Sequence, residues 1–590
     1  MFIRRLCINK DGKAHHYWAL VKSYRTSRGP RQHIVSYLGD MPEAARLGVQ
    51  QVLQASDGHL RPASYRNYGN GAGQTSLFND VTPEWVEVNV KGVKPERLRR
   101  FGDVWLALEL LKTLKLDHFF HEALASRRPK IPWADLASIL VVARFCEPRS
   151  ELHIAEHFYS ETALEDLLGI PAYDIYVNRL YRALDKLLPH KDALQQYLKE
   201  RWGDLFGIAY DILLYDVTST YFEGQAAKNP QAQYGYSRDH RPDCRQVLIA
   251  LVVTKEGIPL GYEVFAGNRH DSTTVESIIN KIEALYGKAD RVWIMDRGMV
   301  GPDTMKVLRQ DQRRYIIGTP KSRLKKFAVE LRAGAWQTVH DGLEVKCCPS
   351  PAGNAEEIFI LCRSVARRAK ELAMRERFVK RIEAGLHRLQ KSCETGRLKN
   401  AKLAERRLGR LLADNRRGAK FFQIDVKELE GSVQLVWSKR EKQLAWANLS
   451  EGCYALCSNI SDWTPQELWQ AYIQLTEAEA AFRIHKHDLQ LRPVWHQIEK
   501  RVNAHIFVCF LAYVMWKCFG QMCKQAGLGD EPRKIIREIK KLHLVDIVLP
   551  TRKGVELRLR CVTKPDPDTA LLLHKLNLKP PGWLAVNPNL

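Results

Sequence analysis

The stretch from Ala209 to Thr319 constrains this chain more than any other, because its patterns alternate between sheet and helix and an acid closes each of two strands. AYDILLYDVTSTYFEG is rich in β-branched, Leu and Tyr residues, reaches Asp216 and breaks at Gly224. CRQVLIALVVTKEGIPLGYEVFAGN holds two apolar runs joined by Lys255-Glu256-Gly257, a hairpin signal. Asp271-Ser272 then opens a helix whose Ile and Leu residues recur at helical spacing up to Gly287. RVWIMDRGMV reads as a short buried strand carrying Asp296, GPDTMKVLRQ as a helix with Pro302 in its first turn, and RRYIIGTP as a further strand.

Strand, hairpin pair, helix, strand, helix, strand is the order of a ribonuclease-H-like core, a mixed α/β fold in which the first and fourth strands are neighbours. Asp216 and Asp296 would then lie side by side. A third acid is expected from TPQELWQAYIQLTEAEAAFRIHKHDL, where Thr464 as N-cap, Pro465 and Glu467 start a helix. Tyr472, Glu479 and Lys486 are seven apart, and seven residues at 100° fall about 20° short of two turns. A continuous helix lines them on one stripe, with Arg483 one turn from Glu479.

Taken together these motifs resemble bacterial insertion-sequence transposases of the DDE type, in the group named after insertion sequence four. Its Y-R-E-K signature is similar to Tyr472, Glu479 and Lys486 at their present spacing, although the arginine of that signature would fall on Leu475. YDVTSTYFEG around Asp216, GNRHDSTT, MDRG around Asp296, AFRIHK and the N-terminal FIRR resemble the same group in order, from Asp216 to about Ala512. The resemblance implies Asp216, Asp296 and Glu479 as catalytic and metal-binding residues, and Tyr472, Arg483, Lys486 and Arg297 as contacts to DNA phosphates. It also implies a β-rich insertion before the glutamate helix.

Phosphodiester cleavage at such a site asks for two divalent ions. Mg²⁺, hard and oxygen-preferring, suits three carboxylates, with Mn²⁺ able to stand in. Thr218 and His270 could support that shell by hydrogen bonds, although His270 beside Asp271 fits a helix start equally well. Asp211, five residues before Asp216, points to the opposite face of the strand, and Glu477 is about 200° around the helix from Glu479.

Charge agrees with a nucleic-acid partner. Lys and Arg number 91 against 67 Asp and Glu, leaving +24, an excess that favours a polyanion. Neither terminus reads as a signal peptide, and the most apolar run, from Val502, contains His505 and Lys517 and is expected as a buried core helix rather than a membrane span. Thirteen cysteines without C-x-x-C spacing are expected as free thiols in a reducing cytosol.

The chain divides by pattern. Residues 1–54 begin with a β-hairpin around TSRG, with a cationic face of Arg4, Arg5, Lys22, Arg25, Arg28 and Arg31. A Gly/Ser/Asn-rich linker spans 55–95, and 96–207 read as a helical, DNA-end-binding region with a conceivable helix-turn-helix around Asn178 to Lys186. The catalytic core occupies 208–319 and 463–525, interrupted by an insertion over 320–462 in which LKKFAVELRAG is expected as β. Within it, 363–420 form a helical hairpin with 19 basic and six acidic residues, broken at Glu394-Thr395-Gly396. The remainder, 526–590, has no assigned role.

The function expected is a DNA transposase that binds the terminal inverted repeats of its element, cuts the ends and joins 3′ hydroxyls to target DNA. It would act as a homodimer in the bacterial cytoplasm, at the nucleoid. An inactive DNA-binding descendant and a ribonuclease-H-like nuclease that does not transpose are the alternatives.

Overall fold

The structure, a computed structural model, describes residues 2–10, 13–26, 29–39 and 86–585 apart from 127–129, 289, 300, 355, 430–431 and 553. β1 (Phe2–Lys10), β2 (Lys13–Thr26) and β3 (Gly29–Gly39) form an antiparallel sheet whose second turn pairs Thr26 with Gly29, where TSRG was expected to reverse the chain. The hairpin is thus one strand larger than expected. Its cationic side chains, like most of the linker, lie outside the described residues.

Helices Gly102–Thr113, Trp133–Cys146, Val177–Leu187 and Lys191–Phe206 follow β4 (Lys94–Arg100). Their apolar residues do not close on themselves. The first three pack around the long Glu499–Gln525 helix, Lys191–Phe206 packs on the strand Pro259–Ala266 and the helix Val275–Tyr286, and all four share one buried cluster with the long helix and with one face of the central sheet. That helix is long and apolar enough to cross a membrane by composition, yet 72% of its apolar window is buried inside the protein, as a core helix requires.

β5 (Ile212–Tyr221), β6 (Gln246–Thr254), β7 (Pro259–Ala266), β8 (Val292–Met295) and β9 (Arg314–Gly318) arise where the sequence alternation and the 255–257 turn place them. β5 pairs parallel to β8 and antiparallel to β6, so first and fourth strands are neighbours, as a ribonuclease-H-like core requires. The insertion continues this sheet. β10 (Gln337–His340), β11 (Leu343–Pro349) and β12 (Ile358–Ser364) join it beyond β9, while β13 (Phe422–Leu429) and β14 (Ser432–Lys439) form a separate hairpin. β15 (Cys453–Ser458) bridges β12 to β9, giving a nine-stranded mixed sheet in the order β10-β11-β12-β15-β9-β8-β5-β6-β7.

LKKFAVELRAG corrects the sequence reading. It folds as a 3-10 turn over Lys321–Phe327 and a short helix over Ala328–Arg332, because Leu324, Phe327 and Leu331 are spaced three and four apart and bury together. The basic hairpin is present as helices Val365–Glu394 and Ala401–Asp414, turning at Gly396 with φ +67°.

β16 (His543–Pro550), β17 (Glu556–Val562) and β18 (Trp583–Leu584) complete a four-stranded sheet with β4. The start and the end of the 86–585 stretch thereby meet: Asp546, wholly buried, pairs with Arg99 at 2.7 Å and Arg560 at 2.9 Å. The twelve cysteines from Cys146 to Cys561 are free thiols.

Candidate active site

Side-chain alternation builds the site. In β5, Leu213, Tyr215 and Val217 bury against helix Val275–Tyr286, which sends Ile212, Leu214 and therefore Asp216 to the other face. Ile294 of β8 buries on that same face, and Asp296 follows two residues later. Leu214 pairs with Ile294 and Tyr215 with Met295, so Asp216 comes next within β5 and Asp296 next just past the end of β8, close enough for the two charges to act on each other. Neighbouring strands lie about 4.8 Å apart.

The glutamate helix covers this face. Ala478, Ala481 and Phe482 of helix Thr476–Arg483 bury against the sheet, and the helix packs on β5 and β6. Glu479 stands at its exposed edge, close enough for its charge to act on Asp216. Burial first, then the charges of Asp296 and Glu479, push the Asp216 carboxyl up to about 7, against the Val217 N–H it accepts at 2.8 Å and the nearby Arg238. Burial and Asp296 likewise raise Glu479. An all-oxygen donor set carrying more negative charge than its surroundings neutralise fits a hard divalent cation.

The expected continuous helix from Thr464 to Leu489 is a second correction. Its start is as expected, with a full capping box between Thr464 and Glu467. At Gln474 and Leu475 the chain tightens, Glu477 N–H bonding Gln474 and Ala478 N–H bonding Leu475, and helix Pro465–Ile473 gives way to Thr476–Arg483. A π-helical turn over Ile484–Asp488 follows. Each change of pitch rotates what comes after it, so the seven-residue stripe does not persist to Lys486.

Tyr472 meets the acids: its hydroxyl donates to Asp296 Oδ1 at 3.4 Å, in space left by Gly318, where a Cβ would stand 2.5 Å from the Tyr472 hydroxyl oxygen. Lys486 turns away. Its Nζ lies 2.7 Å from Asp239 Oδ1, a carboxylate that Arg492 also holds. Arg483 and Arg297 are exposed and carry no ion pair among the described residues. Thr218 is buried in β5 on the Asp216 face. His270 caps the turn beginning at Asp271, its Nδ1 2.9 Å from Ser272 Oγ, so it serves the helix start. Leu475, at the signature arginine's place, is buried at the helix break. Asp211 faces Lys255 and Glu477 faces Lys517, both away from the acids.

Sequence reading missed the segment between β5 and β6. Arg238 sits beside Asp216 and pairs with Asp271, and Ser219 Oγ accepts the Arg238 backbone N–H at 3.1 Å. Nothing local in SRDH marks it; only the folded chain brings it to the acids.

One other cluster has metal-ligand residue types, Glu151, His496 and His505, with donor atoms within 4.8 Å of one another. Arg144 Nη2 already lies 3.3 Å from His505 Nδ1, and His496 Nε2 lies 3.3 Å from Glu151. A guanidinium supplies the positive charge there, and the cluster ties the helical region to the long core helix.

No curated protein sequence matches the chain. Among solved structures, a cryo-EM structure of the piggyBac transposase synaptic complex with hairpin DNA is similar at 9% identity and a TM-score of 0.35, over 76% of this chain and 81% of that one. The family described as "Transposase DDE domain" matches residues 208–515, which hold Asp216, Asp296 and Glu479. That match spans more than half of the chain, and the chain belongs to the transposase DDE domain family.

Proposed function

We propose that this transposase binds the terminal inverted repeats of its own element, cleaves the ends and transfers the 3′ hydroxyls into target DNA. The observation that carries the reading is the parallel register of β5 and β8, which brings Asp216 and Asp296 together beneath the Glu479 helix. Asp216, Asp296 and Glu479 would hold two divalent ions, Mg²⁺ or Mn²⁺ in its stead, supplying Lewis acidity to the scissile phosphate and its attacking oxygen.

The chain's own residues do the positioning. Tyr472 holds Asp296 by its hydroxyl, and burial keeps that phenol protonated as a donor. Exposed Arg483 and Arg297 offer free guanidinium groups to phosphates beside the acids. The net charge of +24 and the basic helical hairpin supply the wider attraction for duplex DNA. Membership of the insertion-sequence-four-like group, a homodimer that handles two ends together, and action at the bacterial nucleoid belong to the same reading.

The test is cleavage and strand transfer on a duplex carrying the element's end, comparing wild type with Asp216→Asn, Asp296→Asn and Glu479→Gln. Each change should abolish both steps and leave end binding intact. Retained cutting by any one of them removes that residue from the site. A wild type that binds ends and never cuts them points instead to a DNA-binding descendant.

A further inference from the structure

Asp239 is the most heavily committed charge near the site, yet it touches none of the catalytic acids. Its side chain is 2% exposed, and Oδ1 receives both Lys486 Nζ, at 2.7 Å, and Arg492. Oδ2 is buried and takes no hydrogen bond from the protein. Withdrawing Lys486 toward a DNA phosphate would weaken the compensation of this buried carboxylate, so its geometry suits an anchor better than a DNA contact.

What it anchors is the segment that carries Arg238. That segment is held at two further points. Gln246 Nε2 donates to the Tyr236 carbonyl at 3.1 Å and to the Gly267 carbonyl at 2.9 Å, and a Cβ on Gly235 would stand 2.1 Å from that same Gly267 oxygen. Arg238 itself bonds Ser219 of β5 through its backbone, three residues beyond Asp216. Its guanidinium and its Asp271 partner are 24% and 23% exposed, so the pair is open to solvent and can be exchanged for a phosphate that accepts two N–H bonds.

We propose that Lys486 is a positioning residue, anchoring through Asp239 the segment that presents Arg238, and that Arg238 is the phosphate ligand there. This rests on the transposase reading above. Lys486 then influences DNA only through Arg238.

A double-mutant cycle separates the roles. Binding of a duplex carrying the element's own end is measured over a range of salt for wild type, Arg238→Ala, Lys486→Met, Asp239→Asn and the two doubles that combine Arg238→Ala with each anchor change. Arg238→Ala should weaken end binding about tenfold or more, and lower the salt slope by about one unit. Lys486→Met and Asp239→Asn should weaken it on their own and add nothing in the Arg238→Ala background, with thermal melting of each variant checking that the fold is kept. Losses that multiply in the doubles, a slope that falls by a further unit with Lys486→Met, or wild-type binding by Arg238→Ala overturn the proposal while leaving a cutting wild type a transposase. A wild type that neither binds nor cuts DNA overturns both.

Discussion

Replacing Gly318 with Ala probes how closely the acids are fitted to their supports. Gly318 lies in β9 without a positive φ, so backbone conformation does not oppose the change and space alone decides it. The new Cβ would stand 2.5 Å from the Tyr472 hydroxyl and 3.1 Å from the Arg297 backbone nitrogen, with the Tyr472 ring carbon Cζ at an ordinary 3.4 Å. Either the hydroxyl retreats by about 1 Å or the strand moves, an overpacking that costs about 1–3 kcal/mol. Both responses pull on Asp296, since Tyr472 bonds it and Arg297 is its chain neighbour. A misplacement of about 1 Å near reacting groups costs about 10²-fold in rate. Single-turnover cleavage of an end duplex, with thermal melting alongside, measures both effects. Tyr472→Phe removes the obstructing oxygen and leaves only the 3.1 Å approach to the Arg297 nitrogen, so Gly318→Ala should slow cutting less in the Tyr472→Phe background than in the wild type. Wild-type cutting and melting by Gly318→Ala, or no relief from Tyr472→Phe, would refute the steric argument.

Asp546→Ala leaves the buried Arg99 and Arg560 sharing Asp166 alone, one carboxylate for two guanidinium groups, and should destabilise the protein by about 3–5 kcal/mol, read from denaturant unfolding; an unchanged midpoint would mean that Asp166 compensates both arginines by itself. Stability should fall as pH drops: burial holds His485 at about 3 against its usual 6.5, so between those values the unfolded chain binds a proton that the folded chain refuses. By pH 4 that amounts to roughly 3 kcal/mol, and urea unfolding at pH 7, 5.5 and 4 should show a shallower decline for His485→Leu. Glu151, whose carboxyl is held down to about 2 against burial by its bond to His496 and the charges of His496, His505 and Arg144, adds stability above 4.5 that is lost as pH falls toward 2. Chelation of divalent ions should stop cleavage and spare end binding, with Mg²⁺ or Mn²⁺ restoring activity; cutting that persists in excess chelator would remove the metal from the reading.

Local pattern determined much of the central sheet by itself. The alternation in ILLYDVTSTY, the Lys255-Glu256-Gly257 turn and the Thr464 capping box are signals carried within a few residues, which is why β5, the β6–β7 turn and the helix start at Pro465 form where they were expected. The helical spacing of Leu324, Phe327 and Leu331 was equally local and lay unread beneath a β-like composition. Tertiary structure alone decided the rest, because partner choice between distant segments leaves no periodicity behind. β15 closes the gap between β9 and β12, Arg99 finds Asp546 across 447 residues, and Lys486 finds Asp239 across 247. The seven-residue stripe assumed one helical pitch from Tyr472 to Lys486. A tightened turn at Leu475 and a π-helical turn at Ile484 changed that pitch, leaving Tyr472 at the acids and taking Lys486 to a carboxylate that no local rule could supply.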